Sequence, residues 1–159
     1  MDIRDNWPGE AFGQIFPAHV SGFVELMICL RREFDGDLDL MLVMAVIGER
    51  RLSRRDPDAT ITHEGLGATP VLETSGASIN AHSIAEYTGI PRETVRRKVA
   101  ALITCGWAAR DDHGDLRPTR RAAIDLAKAT EATLVYLRRI VQASDEARAA
   151  AAIGSRIPE

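Results

Sequence analysis

The feature that most constrains the fold lies between Asn80 and Thr119, where two short helical patterns are separated by a Gly-Ile-Pro turn and followed by a hairpin pattern. The first helix is predicted over residues 81–88. Asn80 can cap it through its side-chain oxygen, and Ser83 with Glu86 offers a competing capping box. Gly89 stands at the turn, where a positive φ has no steric cost for glycine.

The second helix is predicted from about Arg92 to Thr104, and its two faces differ in character. The residues that share the inward face at helical spacing are Val95, Val99, Leu102 and Ile103. The residues of the opposite face are Glu93, Arg96, Arg97, Ala100 and Ala101. That outer face begins with long polar groups and ends in small ones. This order suits a helix whose N-terminal end enters the major groove of DNA.

A β-hairpin is predicted directly after this helix. Residues 107–110 can pair with residues 116–117 across a turn that contains Gly114, which supplies the positive φ that such turns favour. Pro118 is expected to end the strand, and Thr119 to cap the next helix.

The spacing of Ile84-Ala85, Gly89-Ile90 and Thr94-Val95 is similar to that of the helix-turn-helix of bacterial repressors. Together with the Gly-Trp start and the Asp-His-Gly-Asp tip of the hairpin, it most resembles winged-helix regulators of the MarR, IclR and GntR kind. The resemblance covers about forty of the 159 residues. It implies a mainly α fold with a small β-hairpin wing, a recognition helix at residues 91–104 and a wing at residues 107–117.

The resemblance also implies which side chains would contact DNA. Those that would read or approach base edges are Glu93, Thr94, Arg96 and Arg97. Those that would contact phosphates and the minor groove are Arg92, Lys98, Arg110, His113 and Arg117. Lys98 departs from the family pattern, which usually has a small or apolar residue there, and its stem can lie along the edge of the core with the ammonium outside.

Charge is distributed as a DNA-binding module requires. Residues 80–121 contain eight Arg and Lys against five Asp and Glu, a net charge of +3. The whole chain carries −3, which leaves −6 on the remainder. A basic segment in an acidic protein is typical of a local nucleic-acid contact.

The length predicts one domain or one compact two-part unit. The predicted organisation is an N-terminal arm at 1–16, a helical pair at 17–52, a long loop or linker at 53–79, the winged unit at 80–119, a long helix at 119–143 and a tail at 144–159. The long loop could be a lid, an arm exchanged between subunits or a linker without a specific role.

Two of these segments predict a homodimer. Nine of the ten residues from Leu38 to Ile47 are apolar, so this helix is expected to be buried on all sides. Coverage by a second subunit is preferred, and a methionine-containing ligand pocket is the alternative. The helix from Thr119 to Gln142 is too long to be covered by a small winged domain. A two-fold dimer would require an inverted-repeat operator.

No enzyme, metal site or cofactor is expected from the sequence. The histidines His19, His63, His82 and His113 have no metal-ligand spacing, and neither a Gly-rich phosphate loop nor a nucleophile motif is present. Cys29 and Cys105 are expected to be reduced, buried thiols, with a redox switch as the alternative. No leader or membrane-spanning run is recognised, which predicts a cytoplasmic protein.

The sequence therefore favours a homodimeric transcriptional regulator that binds double-stranded DNA. No association with a membrane is expected. Two alternatives stay open. One is a winged-helix interaction module whose basic face binds an acidic protein surface. The other is a small-molecule sensor that uses the methionine-rich helix pair as its pocket and does not bind DNA. A DNA-binding regulator could also respond to a small-molecule effector.

Overall fold

The structure, a computed structural model, describes residues 9, 11–52 and 79–154. The helices are α1 (Phe12–Glu33), α2 (Leu38–Leu52), α3 (Ala81–Thr88), α4 (Arg92–Thr104), α5 (Arg120–Asp125) and α6 (Ala127–Gly154). A two-stranded antiparallel hairpin, β1 (Ala108–Arg110) and β2 (Leu116–Pro118), follows α4. The prediction of a mainly helical chain with one small hairpin is confirmed. The predicted loop at 53–79 lies outside the described residues except for Ile79.

Contacts divide the chain into a central unit (residues 33–127) and a terminal unit (residues 1–32 and 128–159). This division differs from the predicted helical pair at 17–52, because α1 belongs to the terminal unit and α2 to the central unit. The difference has a physical basis: α1 is joined to α6 by polar and aromatic contacts, whereas α2 packs against α3, α4 and β2.

The core of the central unit is formed where α2, α3, α4 and the hairpin meet. Its buried side chains are Phe34, Val43, Met44, Val46, Ile47, Ile79, Ile84, Ala85, Val95, Val99, Leu102, Ala108, Leu116 and Ala122. The carbonyl of Ile79 accepts a hydrogen bond from the Leu116 N–H at 2.8 Å, so the residue that leads into α3 is bonded to β2. Three of the four expected inward positions of α4, Val95, Val99 and Leu102, are thus confirmed.

Within the single chain, helix α2 is buried on one face. Val43 and Ile47 are fully enclosed, whereas Leu38 and Leu42 are exposed. The central unit supplies partners for one face of the helix and leaves the other uncovered. That a second subunit covers this exposed face stays a prediction.

Local sequence explains the bounds of α3. Asn80 Oδ1 accepts hydrogen bonds from the His82 and Ser83 N–H groups, and Ser83 Oγ accepts one from the Asn80 N–H. The capping box therefore uses Asn80 and Ser83 rather than Ser83 and Glu86. Gly89 has φ 73° and donates its N–H to the Ala85 carbonyl, which ends the helix in the left-handed conformation that the sequence predicts.

The hairpin pairs Ala108 with Pro118 and Arg110 with Leu116. Gly114 has φ 83°, as expected. β2 ends at Pro118, as predicted, and a proline is tolerated at the end of an edge strand. Thr119 Oγ1 accepts a hydrogen bond from the Ala122 N–H and so caps α5, as predicted.

Three predicted boundaries are wrong. The long helix at 119–143 is interrupted at Leu126, whose N–H closes α5 on the Ala122 carbonyl. Helix α6 continues to Gly154, through most of the predicted tail, because residues 147–152 are mainly alanine, the best helix former. Helix α1 begins at Phe12 and contains Pro17, so residues 12–16 of the predicted arm are helical. Residues 1–8, 10 and 155–159 of the predicted arm and tail lie outside the described residues.

The terminal unit has an unusual distribution of side chains. Its buried residues are small: Ala11, Gly22, Ala129 and Ala147. Ten of its large apolar side chains are exposed, while others are half-buried. The exposed ones are Phe12, Phe16, Val20, Phe23, Val24 and Ile28 on α1 and Val135, Leu137, Val141 and Ile153 on α6. The two helices approach closely, since a Cβ added at Gly22 would lie 3.0 Å from Tyr136 Cδ2.

Polar contacts hold the two terminal helices in register. His19 Nδ1 lies 2.8 Å from the Tyr136 hydroxyl, and Arg139 Nη2 lies 3.0 Å from Glu25 Oε2. By length and composition α1 also meets the requirements of a membrane-crossing helix, contrary to the expectation that no apolar run is long enough. Core helices of soluble proteins meet the same requirements, so this property does not assign a location.

Candidate nucleic-acid interface

The outward face of α4 is determined by the burial of the opposite face. Because Val95, Val99 and Leu102 are buried in the core, the residues at the complementary positions of the helix are directed outward. Those residues, Glu93, Arg96, Arg97, Ala100 and Ala101, are all exposed, as predicted. Ile103 was expected on the inward face but is 38% exposed, because it lies at the edge of the buried stripe.

Glu93 and Arg96 form a bidentate pair on this face. Arg96 Nε donates to Glu93 Oε2 at 2.9 Å, and Arg96 Nη2 donates to Glu93 Oε1 at 2.7 Å. Both side chains remain about two-thirds exposed. The hydrogen bond from Arg96 and the nearby charges of Arg96 and Arg97 outweigh the small effect of desolvation and lower the pKa of Glu93. The pair is therefore fully charged at neutral pH.

Arg92 and Arg97 differ from Arg96 because, among the described residues, neither guanidinium is in an ion pair. Both are exposed at the N-terminal half of α4. The charge of Arg97 contributes to lowering the pKa of both Asp37 and Glu93, so it lies near two carboxylates without bonding to either. Thr94 lies between these positions and is half-buried. These two cations are available to an external anion.

Lys98 is less available than these two arginines, and its predicted role as a phosphate contact stays a prediction. Its Nζ lies 2.5 Å from Asp37 Oδ2, and the Lys98 side chain is only 19% exposed. Asp37 Oδ1 accepts the Leu40 N–H at 2.9 Å and so caps α2. The short turn before α2 thus holds the middle of α4. The stem of Lys98 follows the core edge as the sequence suggested, but the ammonium is bound within the central unit.

Asp37 remains ionised despite its environment. Partial burial raises its pKa, but the hydrogen bonds from Lys98 and the Leu40 N–H and the charges of Lys98 and Arg97 outweigh that effect. The resulting pKa lies below the ordinary value of 3.8. This carboxylate could not be predicted from the sequence, because it lies 61 residues from Lys98.

The hairpin is organised by a second carboxylate, Asp111. One of its oxygens accepts the His113 and Asp115 N–H groups at 2.9 Å, and the other accepts Arg117 Nε at 2.7 Å. Burial raises the pKa of Asp111, but these hydrogen bonds and the charge of Arg117 outweigh burial. The pKa of Asp111 is therefore lower than that of a free aspartate. Arg117 therefore braces the hairpin rather than extending freely from it.

The other two predicted hairpin contacts are more accessible. Arg110 is exposed, and its Nη1 donates to the Gly114 carbonyl at 2.8 Å. His113 is exposed at the tip. Arg110 keeps donors free after this bond, because a guanidinium carries five N–H groups. Of the cations predicted for the hairpin, Arg110 is thus better suited to contact phosphate than Arg117.

Two further arginines were not among the predicted contacts. Arg120 and Arg121 follow the hairpin directly and are exposed. Arg121 Nε donates to Asp125 Oδ2 at 2.6 Å, and the same oxygen accepts Trp107 Nε1 at 2.9 Å. Arg120 has no ion pair with a described residue. The basic dipeptide after the predicted strand was the signal that could have identified Arg120.

The described residues also include histidine, acidic and thiol side chains that could serve as metal ligands. Among them, no group of three His, Cys, Asp or Glu side chains is arranged to hold a metal ion. His82 pairs with Glu86 at 3.2 Å on the surface of α3. The free thiol of Cys29 is partly buried, whereas that of Cys105, expected to be buried, is exposed just after α4.

Comparison of the chain with protein-family models, with curated proteins and with solved structures found no match. Its function must therefore be inferred from its own residues and geometry.

Proposed function

We propose that this chain is a DNA-binding transcriptional regulator with a winged helix-turn-helix. In this proposal α4 enters the major groove and the hairpin at 107–117 lies on the adjacent backbone or minor groove. The observation that supports it most strongly is the outer face of α4, which presents exposed charged side chains in its first turns and small ones later. A helix in the major groove needs both features.

The proposal assigns the exposed side chains either to base edges or to phosphates. Base edges would be read by Glu93, Thr94, Arg96 and Arg97. Phosphates would be bound by Arg92, Arg110, His113 and the newly identified Arg120. Lys98 and Arg117 are less suited to direct contacts, because each is paired with a carboxylate and its side chain is much less exposed than that of Arg96.

The terminal unit supports a homodimer as the working form. Among its described residues, ten large apolar side chains are exposed and only small residues are fully buried, so this pair of helices lacks an enclosed core. Pairing with a second copy would cover these side chains, and exposed apolar areas of such extent favour association. A two-fold dimer would carry its α4 helices to half-sites about 34 Å apart and would recognise an inverted repeat. Such a regulator would act in the cytoplasm.

The decisive experiment is a salt titration of binding to labelled duplex DNA, followed by selection of sites from random sequence. A DNA-binding protein loses affinity as a power of the salt concentration, with an exponent of about −0.9 for each phosphate neutralised. We expect a steep salt dependence and a selected inverted repeat. No binding at low salt would refute the proposal and favour the protein-interaction module or the sensor.

A further inference from the structure

The Glu93–Arg96 pair leaves a defined set of hydrogen-bonding groups free. A guanidinium has five N–H groups. Two of them, on Nε and Nη2, are directed to the two oxygens of Glu93. The two hydrogens of Nη1 and the second hydrogen of Nη2 therefore remain free at the end of the fork. Each oxygen of Glu93 also retains accepting capacity, so the pair presents donors beside an acceptor.

This set matches the major-groove edge of one base pair. A G·C pair presents two acceptors, guanine N7 and O6, beside one donor, cytosine N4. An A·T pair presents an acceptor, then a donor, then an acceptor, so the second arm of the fork would meet the adenine amino group. We propose that Glu93 and Arg96 act together as one reader of a G·C base pair, with Arg96 bound to guanine and Glu93 to the cytosine amino group. This inference rests on the proposed function.

The position of the pair supports this role. Both side chains lie in the first two turns of α4, on the exposed face, and Ala100 lies one turn beyond Arg96. The small residue allows the helix backbone to approach the bases closely. A carboxylate on a surface that faces phosphates is repelled unless its charge is compensated. Arg96 supplies that compensation, so Glu93 can remain ionised in the groove and accept from cytosine.

The test compares base preference in four proteins by site selection and by affinity for defined duplexes. They are the wild type, Arg96→Lys, Glu93→Gln and a control, Glu86→Gln. Arg96→Lys keeps the positive charge and loses the fork. Glu93→Gln keeps the shape and loses the charge. Glu86→Gln removes the same negative charge from α3, where the Glu86 carboxylate pairs, among the described residues, with the exposed His82.

We expect the wild type to select a G·C pair at one position of each half-site, and replacement of it by A·T to weaken binding about tenfold or more. In Arg96→Lys and Glu93→Gln this ratio should fall to a few-fold, with the preferences at the other positions retained. The control should keep the wild-type ratio. Because both side chains are exposed, the thermal midpoints should remain within a degree or two of the wild type.

The outcomes separate this inference from the proposed function. If the wild type binds DNA with a steep salt dependence but both variants keep its base preferences, the pair is only a solvated surface contact, and the inference is overturned while the proposed function stands. If Glu86→Gln loses the same preference, the effect is one of net charge, and the inference is again overturned. If the wild type fails to bind DNA at low salt, both are refuted.

Discussion

Three consecutive cations on α4 have different surroundings, although the sequence presents them as one basic run. Arg96 is paired with Glu93, Lys98 is bound to Asp37, and Arg97 between them has no ion-pair partner among the described residues. A helical period places residues on faces, and it correctly placed Arg97 outside. It could not identify the carboxylate that binds Lys98, because Asp37 comes from a turn far away in sequence.

Arg97 is the simplest residue with which to test the groove assignment. Arg97→Ala should weaken sequence-specific binding by about 1–3 kcal/mol if the side chain pairs with guanine. Its thermal midpoint should not change, because the side chain is exposed. Arg138→Ala, an exposed arginine on α6, serves as the control and should bind as the wild type does. Equal affinity of Arg97→Ala and the wild type would exclude α4 from the groove.

The Asp37–Lys98 pair should affect stability rather than DNA contact. Lys98→Met should lower the thermal midpoint at neutral pH and leave the salt exponent of DNA binding unchanged, because the ammonium is engaged within the central unit. A decrease of about one unit in that exponent would instead identify Lys98 as a phosphate contact.

The same pair predicts a pH dependence with a definite sign. The pKa of Asp37 is lower in the folded protein than its ordinary value of 3.8. Its stabilising contribution is therefore present above the unfolded-state pKa and is lost as the pH falls through the folded-state pKa. Asp37→Asn keeps a good helix cap, so it should be less stable than the wild type at pH 7 and approach it below about pH 4. Thermal unfolding of both proteins across this pH range would measure the difference in their stability. A difference that does not change with pH would contradict the prediction.

At the scale of elements, the sequence predicted short-range structure well. The bounds of α3 and α4 follow from a cap, a left-handed glycine and a helical period, all of which act within a few residues. The interruption at Leu126 was missed because the apolar spacing continues through it from α5 into α6. The sequence did not predict that α1 and α2 belong to different units. Helical periodicity identifies the apolar face of a helix, but it does not identify the element that packs against that face.

The hairpin arginines should have separable effects. Arg110→Ala should flatten the salt dependence of DNA binding by about one unit, through loss of a phosphate contact. Arg117→Ala should chiefly loosen the turn, because Arg117 braces Asp111, and it should speed hydrogen exchange at the Asp115 amide. The sequence predicts that both arginines contact phosphate. If the two variants lose salt dependence equally and the Asp115 amide still exchanges slowly in Arg117→Ala, both arginines contact phosphate.

The whole molecule depends on how the exposed apolar side chains of the terminal unit are covered. Leu137→Asp places a charge on that surface of α6, where the leucine is 49% exposed. If a second copy covers it, light scattering should give about twice the chain mass of 17.4 kDa for the wild type and the single mass for the variant. Tight DNA binding should be lost with the dimer, while the central unit remains folded by circular dichroism.

Ile124→Asp is the matched control for this experiment. Ile124 is also a large exposed apolar residue, but it belongs to the central unit, so this variant should remain dimeric. A single-chain mass for the wild type at micromolar concentration would contradict the dimer. Dissociation of both variants would mean that the interface extends beyond the terminal unit.

The pairing of cations with carboxylates in the central unit has a kinetic consequence. Four of its basic side chains, Arg96, Lys98, Arg117 and Arg121, are bound to acidic partners. The charge that holds DNA of arbitrary sequence is therefore smaller than the number of basic residues suggests. A regulator of this kind would dissociate quickly from bulk DNA and spend little of its time on competing sites, whose number in a genome is large. Fewer molecules per cell would then suffice to occupy one operator.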